Sequence, residues 1–199
     1  MSNTIAAALN KDVVKSKAIC NVIGVLSFII LTAIGAYVRI PLPFTPVPIT
    51  LQTFFVILSG AILGSRLGFC SQAGYLALGA SGLPIFQNYA SGLAPLAGPT
   101  AGYLVGFTIT PLIIGKLISF KKESTFSWVV FAMAVGSIFI LLSGTAYLMN
   151  FIHLGFKKGL MLGTLCFIPG DFVKTISAAL IYKTLHKKAI RIFRLNSSN

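Results

Sequence analysis

The feature that most constrains this fold is the length of the uncharged apolar runs. No charged side chain occurs from Ile19 to Val38, a run of 20 residues, or from Leu67 to Gly115, a run of 49. A helix of about 20 residues crosses the hydrocarbon core of a bilayer, so the longer run has room for two crossings and a connecting loop. Hydrophobic residues make up 56% of the chain, whereas soluble domains have roughly 45–50%. The sequence therefore predicts an all-α integral membrane protein.

The apolar runs, with the Pro and Gly residues that punctuate them, predict six transmembrane helices. We expect them at residues 19–39, 50–65, 67–80, 100–118, 126–149 and 170–190. Residues 1–18 then form an N-terminal tail, 19–190 the membrane domain and 191–199 a basic C-terminal tail. The second and third helices are too short to cross a full hydrocarbon core, so we expect them to run with little tilt or to start inside a cavity.

The basic residues, which give a net charge of +13, lie beside the apolar runs. This distribution is typical of the positive-inside rule and argues against a nucleic-acid partner. With both termini cytoplasmic, three basic residues fall on the outer side, and the inner side holds twelve: Lys11, Lys15, Lys17, Arg66, Lys116, Lys121, Lys122, Lys183, Lys187, Lys188, Arg191 and Arg194. The chain is therefore expected to be a multi-pass protein of the cell membrane with both ends inside.

Catalytic and metal-binding patterns are not found in the sequence. The three cysteines are far apart in apolar surroundings and lack metal-ligand spacing. An intramembrane aspartyl protease needs two carboxylates that share a proton, yet the acids besides Asp171 are Asp12 in the N-terminal tail and Glu123 in an inner loop. A phosphate-binding P-loop is also missing. We predict a protein that is not an enzyme, holds no cofactor or metal, and relies on a separate source of energy.

Asp171 and Lys174 are the only charged residues between Gly159 and Ile181. Each charge at bilayer depth costs roughly 2.5–3.5 kcal/mol on insertion scales, so such a pair indicates a functional site. One alternative is structural, because Asp171 follows Pro169-Gly170 and can cap the start of the last helix while Lys174 pairs with it. The functional alternative is ligand binding: a carboxylate accepts N–H groups of a cyclic urea or amide, and an ammonium donates to its carbonyl.

The outward loops of the predicted topology are rich in Pro, Gly and amide side chains. They span residues 41–48, 80–99 and 150–169. Loops of this kind form a binding mouth in some proteins and tight connectors in others, and composition leaves both open. Glycines also recur every four residues, as in Gly60/Gly64/Gly68, which indicates close helix packing within the chain or, alternatively, a docking face for another subunit.

Several stretches together resemble the biotin-specific substrate-binding subunits of energy-coupling-factor transporters. They are Ile40–Thr53 (IPLPFTPVPITLQT), Gly82–Phe86 (GLPIF), Leu96–Phe107 (LAGPTAGYLVGF) and Phe167–Lys174 (FIPGDFVK). The resemblance covers most of residues 25–182. It implies a six-helix membrane subunit that captures biotin with high affinity at the outer face. The implied partners are biotin, the lipid bilayer, a transmembrane coupling subunit and two ATPase subunits.

The resemblance also implies which residues bind the ligand. Asp171 and Lys174 match the polar ligands of the ureido head, and Asn88 occupies a third-loop position where an amide helps. The remaining matches are Thr50 and Gln52 in the first-loop motif and Tyr103 in the Gly-Pro-Thr motif.

Two positions depart from the family pattern. The family has Gly-Gly where this chain has Ala101-Gly102, and its Ala-x-x-x-Ala docking motif is matched only by Thr32 and Ala36. The mode of coupling to a transmembrane partner is therefore left open. Two alternative functions also stay open: a subunit for a different vitamin and an intramembrane enzyme.

Overall fold

The structure, a computed structural model, describes residues 17–121 and 124–189. The expectations for residues 1–16, which include Asp12, for Lys122 and Glu123, and for residues 190–199 concern residues outside these ranges. The described helices are α1 (Lys17–Tyr37), α2 (Gln52–Leu63), α3 (Ser65–Ala80), the short α4 (Ala94–Ala97), α5 (Ala101–Ser119), α6 (Phe126–Phe151), the short α7 (Phe156–Leu160) and α8 (Ile168–Ala189). Strands β1 (Arg39–Ile40) and β2 (Ile49–Thr50) pair antiparallel after α1.

Five helical stretches are long and apolar enough to cross a membrane in the described part of the chain. One of them, Gln52–Ala80, contains both α2 and α3, which is why hydropathy counts five stretches where these residues form six long helices. The predicted all-α membrane fold is confirmed.

Helices α2 and α3 fold back on each other as an antiparallel hairpin. Gln52 at the start of α2 donates a hydrogen bond to Tyr75 near the end of α3, and Gln72 donates to Ser59 further along. The turn is made by Gly64, whose φ of 80° lies in the region that only glycine adopts easily. The 12 residues of α2 span about 18 Å. This agrees with the prediction that a short second helix begins inside the molecule.

Glycines on α2 and α3 let α5 pack closely against the hairpin. A Cβ at Gly60 would lie 2.7 Å from the Pro111 Cα, and one at Gly68 would lie 2.8 Å from the Pro111 Cβ. Neither contact leaves room for a side chain. At these positions the four-residue glycine spacing serves helix packing within the chain. In lipid the hydrophobic effect does not drive helices together, so their association depends on close van der Waals contact.

The last crossing differs from the prediction. Residues 150–169 were expected to be an outward loop, yet α7 and a π-helical segment, Met161–Leu165, lie there. Both pack along α6, since Gly159 of α7 lies against the Met149 side chain and the Thr164 hydroxyl of the π-helical segment lies 2.7 Å from that of Thr145. Helix α8 then begins at Ile168, with Pro169 in its first turn, where a missing N–H costs no hydrogen bond.

Helix α1 lies at the edge of the bundle. Val22, Leu26, Ile30 and Ile34 on its outer face are each about half exposed, as expected of side chains that meet lipid. Thr32 and Ala36 are both fully buried, and the Thr32 hydroxyl contacts the Gln72 amide on α3. The nearest match to the family's docking motif therefore faces the interior of this chain.

Both ends of the described chain lie at the same end of the bundle. Lys183 on α8 stacks on Phe126 at the start of α6, and the Trp128 indole donates to Leu117 O at the end of α5. The Pro-rich loop 41–48, β1, β2 and the segment 81–100 lie at the opposite end, together with the end of α1, because the Tyr37 hydroxyl donates to Pro84 O and Arg39 donates to Asn88. Helix α1 therefore begins at the end of the bundle where α8 finishes. This arrangement is consistent with the predicted placement of both termini on one side of the membrane.

Candidate functional site

Asp171 and Lys174 form a hydrogen-bonded network in the interior of the bundle. Lys174 Nζ lies 2.8 Å from Asp171 Oδ1 and 2.9 Å from the Thr53 hydroxyl, which in turn donates to Asp171 Oδ1 at 3.5 Å. The Ser137 hydroxyl donates to the second carboxylate oxygen, Oδ2, at 2.9 Å. Asp171 is 5% exposed. Donors from α2, α6 and α8 therefore converge on one buried carboxylate.

This network lies close to the middle of the bundle along its axis. Asp171 falls about halfway along the helical stretch Phe156–Leu185, and its partner Ser137 falls near the centre of α6. Thr53 reaches the same level because α2 begins there. The start of α2 faces a cavity, whose wall includes Thr50, Gln52 and Thr53.

The cavity opens above the charge pair. Its lining comes from α2, α3, α5, α6 and α8 and from the loops that close the outer end of the bundle. The lining has two charged side chains, those of Asp171 and Lys174, together with uncharged polar ones such as Gln52 and Thr53. The walls are largely apolar and are formed by Val47, Phe86, Leu104, Phe107, Leu141 and Phe167. A ligand with one polar end and an apolar body matches this division.

Gln52 and Tyr75 form a second polar group in the cavity wall. The Gln52 amide nitrogen donates to the Tyr75 hydroxyl at 2.8 Å, and that hydroxyl donates to Ile85 O at 3.1 Å. Both side chains are buried, with Gln52 4% exposed and Tyr75 fully enclosed. The pair joins α2 to α3 and to the segment that follows α3.

Tyr103 and Thr50 lie in the wall of the cavity. The Tyr103 hydroxyl donates to Gly163 O in the π-helical segment at 2.7 Å, so its single proton is engaged within the protein. The ring itself faces the cavity and packs edge-on against Phe167. Tyr103 therefore offers a ligand an aromatic surface, and its hydroxyl supports the helical segment that precedes Asp171.

Asn88 lies outside this cavity. Its side-chain oxygen accepts a hydrogen bond from Arg39 at 2.9 Å, in a wider and more open outer vestibule. Asn88 and Tyr89 both have positive φ, an uncommon conformation for residues other than glycine. The vestibule adjoins the cavity, since four residues line both spaces: Pro48, Gln87, Pro95 and Thr100.

The six-helix bundle and its sequence have counterparts in known proteins. Residues 7–191 of the chain match the family model described as the BioY family. This chain belongs to the BioY family. A relative in Thermotoga maritima named biotin transporter BioY is 41% identical over 160 residues, covering 80% of this chain and 92% of the relative. One in Pyrococcus horikoshii named probable biotin transporter BioY is 39% identical, covering 79% and 91%.

A solved structure has the same fold as this BioY-family chain. It is a crystal structure of the S-component for biotin from an ECF-type ABC transporter, and it matches with a TM-score of 0.82 and 27% sequence identity. The match covers 87% of this chain and 94% of the solved one. A fold match of this extent, together with the apolar helices, identifies the chain as a multi-pass membrane protein.

Sequence reasoning missed several polar residues around the cavity of this BioY-family chain. Thr53 and Ser137 complete the network of Asp171, and Tyr75 holds Gln52. Thr53 directly follows Gln52 in the quoted Pro-rich motif, so the sequence could have identified it as a candidate site residue. Ser137 and Tyr75 carry no charge and stand among apolar residues of long helices, where only the tertiary contacts reveal a role.

Proposed function

We propose that this protein captures biotin at the outer face of the cell membrane and delivers it across as the substrate-binding subunit of an energy-coupling-factor transporter. The observation that carries the proposal is the buried Asp171–Lys174–Thr53 network in the wall of a largely apolar cavity. Biotin as the ligand is supported by the relatives, which are named biotin transporters, and by the matching solved structure, which is an S-component for biotin.

The polar end of the cavity matches the ureido ring of biotin by its hydrogen-bond groups. Lys174 has three N–H donors, two of which are engaged by Asp171 and Thr53, so one is left for the ring carbonyl. The Asp171 carboxylate can accept a ring N–H in addition to its internal donors. The apolar ring and chain of biotin then lie against Phe107, Leu141 and Phe167.

The opposite end of biotin carries a carboxylate, and Arg39 is its proposed partner. Arg39 lies in the vestibule next to the cavity and is oriented by Asn88. Among the described residues the only carboxylate side chain is that of Asp171, so Arg39 has no acidic side chain to pair with there. We expect Arg39→Gln to weaken biotin binding about tenfold, as for the loss of a charge-assisted bond. The same substitution should change the affinity for a neutral biotin amide little, because that ligand has no carboxylate for Arg39 to pair with.

Transport rather than catalysis is the proposed role. Asp171 is engaged by Lys174, Ser137 and Thr53, which suits recognition of a neutral polar head better than proton transfer. The proposed partners are a transmembrane coupling subunit and two ATPase subunits, since the matching solved structure belongs to an ECF-type ABC transporter. We propose that they supply the energy for uptake.

Equilibrium binding of labelled biotin to the purified, folded protein tests the proposal. Saturable binding that unlabelled biotin displaces, and that thiamine and riboflavin do not, is the expected result. A folded protein that binds no biotin, or that releases it to another vitamin, would overturn the proposed function. Purification from native membranes with an ATPase attached is the expected result for the coupling module.

A further inference from the structure

We propose that Tyr75 is a positioning residue that fixes the Gln52 side-chain amide in one orientation, so that its carbonyl oxygen accepts one N–H of the bound cyclic urea. The inference rests on the proposed function, because it concerns the same cavity and the same ligand. It adds a specificity determinant for the second N–H of the ring, the first being assigned to Asp171.

The orientation of Gln52 follows from the single proton of the Tyr75 phenol. The phenol oxygen lies 2.8 Å from the Gln52 amide and 3.1 Å from Ile85 O. A backbone carbonyl can only accept, so the phenol proton points to Ile85 O. The phenol oxygen must then accept from Gln52, which requires the NH₂ group on that side. The reverse orientation would place two acceptors against a phenol that has one proton.

The Gln52 carbonyl oxygen, Oε1, is consequently directed away from Tyr75. Among the residues that the structure describes it has no hydrogen-bond partner, and it is not one of the fully enclosed unpaired atoms. Gln52 is 4% exposed and lines the cavity, so the accessible surface of this oxygen opens onto the ligand space. A buried acceptor of this kind is costly until a donor fills it.

The cavity then complements a cyclic urea group by group. Lys174 supplies one donor for the ring carbonyl, while Asp171 and Gln52 each supply an acceptor for a ring N–H. A ring in which an N–H is replaced by an oxygen would direct its own acceptor at one of these acceptors. The site should therefore reject such a ring strongly, because sites built for a hydrogen bond discriminate against analogues that lack it.

The test compares biotin with its two isomeric cyclic carbamates, each having one ring N–H replaced by oxygen. The wild-type protein should bind both carbamates at least about tenfold more weakly than biotin, as expected for an unpaired buried acceptor. In Tyr75→Phe the Gln52 amide is free to turn and donate to a ring oxygen. We expect its biotin affinity to fall about threefold to tenfold. Its discrimination against the carbamate whose ring oxygen faces Gln52 should fall at least about fivefold. Discrimination against the carbamate whose ring oxygen faces Asp171 should be kept.

Two further variants complete the experiment. Tyr147→Phe removes a hydroxyl that donates to Ala97 O outside the cavity and should match the wild type in both affinities and discrimination. Gln52→Met removes the acceptor without altering Tyr75, and it should lose discrimination against the same single carbamate. This second variant keeps the proposal testable if Tyr75→Phe does not fold.

The contrary outcomes are distinguishable. Parallel loss of affinity for all three ligands in Tyr75→Phe, with discrimination unchanged, would mean that Tyr75 only supports the fold. Full discrimination in Gln52→Met would mean that Gln52 is not an acceptor for the ligand. Either result overturns this inference and leaves the proposed function standing, whereas a wild-type protein that binds no biotin overturns both.

Discussion

At the residue scale, the Asp171 carboxylate is the group on which the proposed site depends. A charge at this depth is stable only when its oxygens are occupied, because lipid offers no hydrogen bonds. Three side chains from three helices provide them: Lys174, Thr53 and Ser137. The same arrangement holds the carboxylate rigidly against the cavity, so a ligand meets an acceptor that is already oriented.

Asp171→Asn is expected to weaken biotin binding by about 1.5–3 kcal/mol, which corresponds to roughly 10- to 150-fold in Kd. The substitution removes the charge-assisted bond to the ring N–H and leaves Lys174 without its counter-ion. Equilibrium binding to the purified variant measures the effect, and Lys157→Gln, an exposed position on the outer helix α7, is the matched control. Unchanged affinity in Asp171→Asn would place the biotin site elsewhere.

Ser137→Ala is expected to lower the free energy of unfolding by about 1–3 kcal/mol, because a buried carboxylate oxygen loses its donor. Thermal unfolding in detergent measures this change. Ser143→Ala on the same helix is the control, since the Ser143 hydroxyl bonds to the carbonyl of Ile140 one turn earlier. Equal stability of the two variants would show that the Ser137 bond adds nothing.

The residues of the proposed site differ in how far the sequence could reveal them. Asp171 and Lys174 could be singled out, since a charge within an apolar run is conspicuous. The role of Asn88 in binding stays a prediction, and the structure adds that this residue lines the vestibule, where its side-chain oxygen accepts a hydrogen bond from Arg39. Ser137 and Tyr75 were not predictable, because a hydroxyl in a long apolar helix is equally compatible with a bond to its own backbone.

At the element scale, the α2–α3 hairpin creates the space for the cavity. Because α2 begins at the level of Asp171, the volume above it is left to the loop 41–48 and to the cavity. Two hydrogen-bonded contacts, Gln52–Tyr75 and Ser59–Gln72, set the register of the hairpin. A full-length second helix would fill this volume.

Gly60→Ala is expected to destabilise the protein by about 1–3 kcal/mol, as is typical of overpacking. The added methyl group would lie 2.7 Å from the Pro111 Cα, and backbone cannot yield as a flexible side chain does. Thermal unfolding in detergent is the measurement. Gly155→Ala is the control, because a Cβ there meets nothing within 4 Å and its φ is −63°. A Gly60→Ala variant as stable as this control would contradict the packing described for α2 and α5.

The segment before α8 shows where local rules are insufficient. Pro169-Gly170 predicted a break and an outward loop, yet helical structure lies on both sides of the proline. The π-helical segment Met161–Leu165 is fixed by contacts from neighbouring helices, among them the bond from Tyr103 to Gly163 O. Such π segments are frequent at functional sites, and no local signal in the sequence distinguishes them from a turn.

At the scale of the whole molecule, the two ends of the bundle differ in chemistry. One end carries Arg66, Lys116, Lys121 and Lys183 and adjoins the basic tails, and the other carries Arg39, Lys157 and Lys158. The positive-inside rule predicts that the first end lies in the cytoplasm and that the vestibule faces outward. This orientation is required for capture of an external ligand.

Labelling in intact cells with a membrane-impermeant maleimide tests the orientation. In a background with Cys20, Cys70 and Cys166 replaced by alanine, Tyr89→Cys at the vestibule end should react from outside. Lys121→Cys at the opposite end should react only after the membrane is permeabilised. The reverse labelling pattern would invert the topology and exclude capture from outside.

The sequence by itself determined that the chain spans the membrane as helices, and it singled out Asp171 and Lys174 as candidates for a site. Run length and charge placement depend on the bilayer and need no knowledge of which helices meet. The tertiary structure alone decided the depth of the charge pair, the contacts of Thr53, Ser137 and Tyr75, and the position of the cavity beside the vestibule. These features arise from contacts between residues far apart in the chain, and uncharged hydroxyl and amide groups acquire a role only through the partners that the fold brings to them.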